Sequence, residues 1–156
     1  MTEPRIHEAL EQAVRDVLDK MFFVDTLACP DTNPLPLGAG ISARLTFEGD
    51  PPGVFRLRVS LAAAQSMAAD FSGVDPGSVT PELMAEVVSE AANMICGSVL
   101  SHIENAAVFH LATPQIVDAG LDSSAAEDAA SFTAWLGSGV LKATLRLADP
   151  RARLAN

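Results

Sequence analysis

The chain has 156 residues, 49 % of them apolar and 19 % charged, a composition that supports one globular domain with an ordinary core and excludes a disordered chain. Ten Lys and Arg stand against twenty Asp and Glu, for a net charge of −10, and no Lys/Arg cluster breaks the trend, so nucleic acid and anionic membrane surfaces are poor partners. Two cysteines, Cys29 and Cys96, lack CxxC spacing and fit a reduced, cytoplasmic setting; with His7, His102 and His110 scattered, they set no metal-ligand pattern.

The first stretch, MTEPRIHEALEQ, is charged and lacks an apolar h-region, so no signal peptide is read there, and no apolar run approaches the length of a membrane span. From about Glu3 to Met21, Ile6, Leu10, Val14, Leu18 and Met21 recur at three- and four-residue intervals, which predicts an amphipathic helix with Pro4 in its first turn. ACPDTNPLPLGAG reads as a loop. Ile41–Phe47 and Val54–Ser60 alternate apolar and polar side chains around a Gly-Asp-Pro-Pro-Gly turn, which predicts a hairpin with its arginines on one face. LAAAQSMAADF predicts a short helix stopped by Ser72-Gly73.

A second long helix starts at a clear signal. Thr80 can cap it, Pro81 takes the first helical position and Glu82 favours the positive end of the dipole; it runs to about Glu104. Ala107–Val117 reads as a strand in which Pro114 predicts an edge, a bulge or a break. Ser131–Leu136 and Val140–Leu147 form a closing hairpin around Gly137-Ser138-Gly139, and the chain past Pro150 reads as a loose tail. This order predicts an α+β fold, an antiparallel sheet with two long helices on one face, in a single domain with its core at about 5–148. The helix-strand-strand order allows an internal duplication, though no repeat is visible in the residues.

On a helical wheel of PELMAEVVSEAANMICGSVLSHIE, Met84, Val88, Ala91, Ile95, Val99 and His102 fall toward one side, and Glu86, Glu90, Asn93, Gly97, Ser101 and Glu104 form a stripe on another. Glu90 and Asn93 are neighbours on that stripe: a carboxylate can pair with a partner's cation, and a carboxamide beside it can orient a water molecule. Gly97, one turn on, costs about 1 kcal/mol against alanine in mid-helix, which close approach of another backbone would explain. Taken alone, Glu-x-x-Asn occurs on many solvated helix faces.

The run Glu90-Ala91-Ala92-Asn93-Met94-Ile95-Cys96-Gly97, however, resembles the E-x-x-N-(M/I)-I-x-G signature of the CheX/CheC chemotaxis phosphatases. Leu111–Val117 is similar to the family's strand in which a proline follows the motif asparagine by just over twenty residues, and the order of elements matches from about Ile6 to Leu147. The resemblance implies a phosphatase for phosphorylated CheY-like response regulators, with a Mg²⁺ bound by the regulator and no cofactor of the chain's own. It implies that Glu90 docks on a lysine of the regulator and that Asn93 places the attacking water. Glu86 and Gly97 are then partner-binding positions; Glu86 departs from the Asp or Ser often found there. The first helix offers Glu8, Glu11 and Gln12 with no asparagine, so one motif, as in CheX, and a homodimer joined through its sheets are implied.

Two other readings compete. One is a non-catalytic module of the same fold that binds or dimerises in two-component signalling. The other is a metal-dependent hydrolase using His7, His102, His110, Glu86 and Glu104, although the histidines lack HxxxH-type spacing and His102 falls toward the apolar side of its helix. No G-x-S-x-G elbow is present, Cys96 sits in an apolar helix where packing is expected, and Trp135 with the seven phenylalanines reads as core or sheet face.

Overall fold

Alternation along four stretches is satisfied by one antiparallel sheet. The computed structural model describes residues 3–22, 27–28, 40–49, 52–103, 109–117, 130–135 and 139–147. In chain order they form α1 (Glu3–Phe22), β1 (Leu27–Ala28), β2 (Gly40–Glu48), β3 (Gly53–Ser60), α2 (Leu61–Ser72), a 3-10 turn (Pro76–Ser78), α3 (Pro81–Ile103), β4 (His110–Leu111), β5 (Gln115–Val117), β6 (Ala130–Trp135) and β7 (Val140–Leu147). The sheet order is β1-β6-β7-β3-β2-β4, with β5 also on β2, and every pairing is antiparallel. The strand β1 and the 3-10 turn carry too few residues to show a period and were not legible; the tail past Pro150 and the Gly137-Ser138 turn lie outside the described residues.

One face of the sheet is apolar. Ala43, Leu45 and Phe47, then Phe55, Leu57 and Val59, then Leu141, Ala143 and Leu145, then Phe132 and Ala134 are buried, and α1, α2 and α3 pack over them. Each helix meets this layer through pairs of residues one turn apart: Ala9–Leu10, Ala13–Val14 and Val17–Leu18 in α1, and Val87–Val88, Ala91–Ala92, Ile95–Cys96 and Val99–Leu100 in α3. The stretch Pro81–His102 is long and apolar enough to cross a membrane by length and composition, contrary to the expectation that no run approaches that length. Its apolar side chains are those that fill the core between α1, α2 and the sheet.

The expected duplication is visible in the topology. Exchanging α1-β1-β2-β3 with α3-β4/β5-β6-β7 turns the strand order into its own reverse, and α1 packs on β6 and β7 while α3 packs on β2 and β3. Only the pattern of burial is shared, which is why residue identity does not reveal the repeat.

The α2 helix is fixed at both ends. Ser60 caps it, its Oγ accepting from Ala63 N–H at 3.4 Å, and the same oxygen accepts from Val140 N–H at 3.1 Å, which ties the start of α2 to β7. Gly139 must be glycine for this arrangement: a Cβ there would collide with Ser60 Oγ and lie 2.9 Å from Ala63 N. Gly73 ends the helix in the left-handed region at φ 69°, its N–H donating to Ala69 O at 2.9 Å. Ser60→Ala removes the acceptor of both N–H groups, and urea unfolding is expected to show a loss of about 1–2 kcal/mol; a loss below a few tenths would mean that water replaces the hydroxyl without cost.

Candidate active site

The site is built on the exposed stripe of α3. Thr80 caps the helix as expected, its Oγ1 accepting from Leu83 N–H at 3.1 Å and its carbonyl from Met84 N–H at 3.0 Å. This sets the rotation of everything downstream. With the pairs at 87–88, 91–92 and 95–96 buried, Glu86, Glu90 and Asn93 are left exposed on one side.

Those three residues share one wall of an open groove of about 930 Å³. The end of α2, at Phe71 and Ser72, forms a second wall, and the segment from Leu111 to Pro114 with Ile116 forms a third. The third wall exists because the edge strand breaks. Leu111 is opposite Phe47 and Gln115 opposite Arg44, so Ala112, Thr113 and Pro114 face only Leu45 and Thr46, three residues against two. That is a bulge of one residue, held at one side by Ala112 N–H donating to Thr46 O at 2.9 Å. Pro114 has no N–H to return to the ladder, and the bulged segment is the part that lines the groove.

The chemistry of the groove is simple. Glu86 and Glu90 supply carboxylates, Asn93 a carboxamide, and the remaining lining among the described residues is apolar or hydroxylic, with no lysine or arginine. Among the described residues, none of Glu86, Glu90 and Asn93 makes a hydrogen bond or ion pair, so all three are available to an incoming group. Phe71 is 44 % exposed and Ile116 47 % exposed, beside them. The assignment of all phenylalanines to core or sheet face therefore fails at Phe71: it lies in the last turn of α2 and lines the groove beside α3. An aromatic residue immediately before a Ser-Gly helix stop was the available signal.

Gly97 continues the stripe but does not line the groove. A Cβ there would meet nothing within 4 Å among the described residues, so no contact with them requires glycine. Gly97→Ala is therefore expected to stabilise the protein by about 0.5–1 kcal/mol in thermal unfolding. If a partner's backbone passes over this turn, the same substitution will weaken partner binding; unchanged binding would remove Gly97 from the interface.

The α1 helix carries no second copy of the pair. Matching the buried pairs of α1 to those of α3 sets Gln12 against Glu90 and Arg15 against Asn93. Arg15 is engaged with Glu11 at 3.2 Å and lies 5.8 Å from the ring of Phe132.

The histidines do not converge. His7 packs edge-on against Phe132 with ring centroids 6.3 Å apart, and His110 is exposed on β4 at the sheet edge. His102 is exposed rather than turned to the core, its ring held back along its own helix, where Nδ1–H donates to Ser98 O at 2.7 Å. Glu104 lies outside the described residues, and among those described no three His, Cys, Asp or Glu come together as metal ligands. Cys96 is buried, and burial pushes its thiol up to about 12, which keeps it protonated and unreactive at neutral pH.

Residues 41–134 match the family model described as chemotaxis phosphatase CheX. Among solved structures, CheX from Borrelia burgdorferi, in a complex with CheY, BeF3 and Mg²⁺, has 18 % identity and a TM-score of 0.71, covering 91 % of this chain and 97 % of that one. A CheX from Vibrio vulnificus has 13 % identity and a TM-score of 0.72, covering 95 % and 99 %. A CheX from Desulfovibrio desulfuricans has 16 % identity and a TM-score of 0.68, covering 92 % and 99 %. No curated protein matches the chain. At these identities the structural likeness establishes the fold alone.

Proposed function

The chain belongs to the CheX family of chemotaxis phosphatases, and from that premise we propose that it hydrolyses the aspartyl phosphate of a CheY-like response regulator. The observation that carries this reading is the pairing of Glu90 and Asn93, exposed together in a groove whose described lining has no lysine or arginine.

In this reading the receiver seats its phosphorylated end in the groove, against Phe71 on one side and the bulge at Ala112–Pro114 on the other. Glu90 pairs with a lysine of the receiver and fixes the register of the complex; Glu86, one turn earlier, adds a second negative charge toward the same partner. The Asn93 amide orients a water molecule in line with the phosphorus. The water oxygen bonds to phosphorus, the bond from phosphorus to the aspartyl oxygen breaks, and the water's proton leaves with the phosphate or solvent. No covalent intermediate forms on this chain. The Mg²⁺ belongs to the receiver and neutralises phosphoryl oxygens there, so positioning is what remains for this chain to supply. A cytoplasmic homodimer, joined through sheet edges, completes the reading.

The test is to add the full chain to a panel of Mg²⁺-loaded, phosphorylated CheY-like receivers and follow loss of the phosphoryl group. Acceleration for at least one receiver is expected. Binding without any change in rate would replace catalysis with the non-catalytic module of the same fold.

A further inference from the structure

The sheet face opposite the helices gathers positive charge in a chain that is otherwise acidic. Cross-strand register places Ser42 opposite Arg58 and Arg58 opposite Lys142; it places Arg44 opposite Arg56, and Val54 opposite Arg146. All of these lie on the face that the buried residues of β2, β3 and β7 leave. Five of the ten Lys and Arg in the chain are therefore on one side of three adjacent strands. The acidic balance hid this cluster, since it is assembled by alternation and pairing and not by a basic run.

Three features set the face apart from an ordinary solvated one. First, Arg58 and Lys142 are like charges directly opposite each other, an arrangement that costs stability. Second, Arg44, Arg58, Lys142 and Arg146 make no ion pair among the described residues, in a chain with twenty carboxylates. Third, Ser42 is only 3 % exposed on this face and its Oγ has no hydrogen-bond partner among the described residues, nor do the buried Nε atoms of Arg44 and Arg58. Buried donors without an acceptor among the described residues, beside four cations with no ion pair among them, are groups that an anion would satisfy.

We propose that this face binds a small polyphosphate anion, the di- or triphosphate chain of a nucleotide or of inorganic polyphosphate, through Arg44, Arg58, Lys142 and Ser42. Guanidinium groups match phosphate oxygens in a bidentate way that few other side chains do. Size and charge both favour a small ligand. The patch spans about 10 Å across three strands and about 7 Å along them, on the order of a few phosphates. An extended polyanion would have to lie along a surface of net charge −10, whereas a short one stays within the patch. A second copy of the same face would set cations against cations. The site is on the opposite side of the sheet from the Glu90–Asn93 groove and does not depend on the function proposed there.

The experiment is calorimetric titration of the full chain with tripolyphosphate, ATP and AMP at low and moderate salt, for wild type, Arg44→Gln and Arg58→Gln. Tripolyphosphate and ATP are expected to bind, more weakly as salt rises, and AMP far less well. Equal affinity for the first two would mean that the phosphate chain alone is read, and tighter ATP that the nucleoside also contributes. Each substitution should weaken binding by about tenfold or more, and Arg58→Gln should raise the melting temperature of the unliganded protein, because its like-charge pairing with Lys142 is relieved. Absence of tripolyphosphate binding, or binding that the substitutions leave unchanged, would overturn the proposal. So would a fall in the unliganded melting temperature of Arg58→Gln, which would show that the chain's own carboxylates already occupy the cations.

Discussion

Asn93→Ala is expected to lower phosphatase turnover on a CheY-like receiver by about a hundred- to thousandfold, the scale seen when one preorganised hydrogen-bonding group is removed from a transition state. Stability should not change, because Asn93 is exposed and makes no hydrogen bond among the described residues. Affinity for the unreacted receiver should also stay near wild type, since orienting a water adds little to docking. The loss therefore falls on kcat, with KM little altered. Asn93→Asp is a sharper version of the test: it keeps the shape but brings a negative charge toward the phosphoryl oxygens and removes the amide donor. A quench-flow or fluorescence assay that finds Asn93→Ala within about threefold of wild type would remove water positioning from the mechanism.

Glu90→Ala should show the complementary signature, with weaker receiver binding and kcat at saturation largely kept. Among the described residues the groove has no lysine or arginine and Glu90 has no ion pair, so a receiver lysine would compensate its charge as the interface closes over both. Truncating one partner of a charge pair desolvated in this way costs about 2–5 kcal/mol, or roughly thirtyfold and upward in affinity. Glu90→Lys should abolish binding outright, and a receiver with the matching lysine changed to glutamate should restore part of it. The swap distinguishes a specific pair from general acidity of the surface, because Glu86 remains one turn away in both proteins. Failure of the swap together with normal binding by Glu90→Ala would place the anchor elsewhere, at Phe71 or Ile116, where exposed apolar surface flanks the pair.

Much of this protein is decided by short-range pattern, and that part was legible. Thr80 and Pro81 set the start of α3, and a rotation of about 100° per residue then dictates that Glu86, Glu90 and Asn93 emerge together once Val88, Ala91 and Ile95 turn inward. Alternation in Ile41–Phe47 and Val54–Ser60 requires a hairpin with arginines on one face, and Pro114 requires a break in its strand. The run from Glu90 to Gly97 also carried the family resemblance that the comparison confirmed.

What only the tertiary structure decided depends on which distant segments meet. The two residues of β1 are strand because β6 lies beside them, and Phe71 ends α2 partly exposed where it lines the groove beside α3. His102 stands outside the core with its ring bonded to Ser98 O, although the helical period alone turns it inward. The groove needs α2, α3 and the bulge to converge, and the cationic face needs Arg44, Arg58 and Lys142 brought into register from three strands. A sequence fixes side-chain direction through backbone geometry one element at a time. Which neighbour that side chain meets is set by hydrogen-bonded pairing and by burial shared among all the elements, so it is determined only when the whole chain has packed.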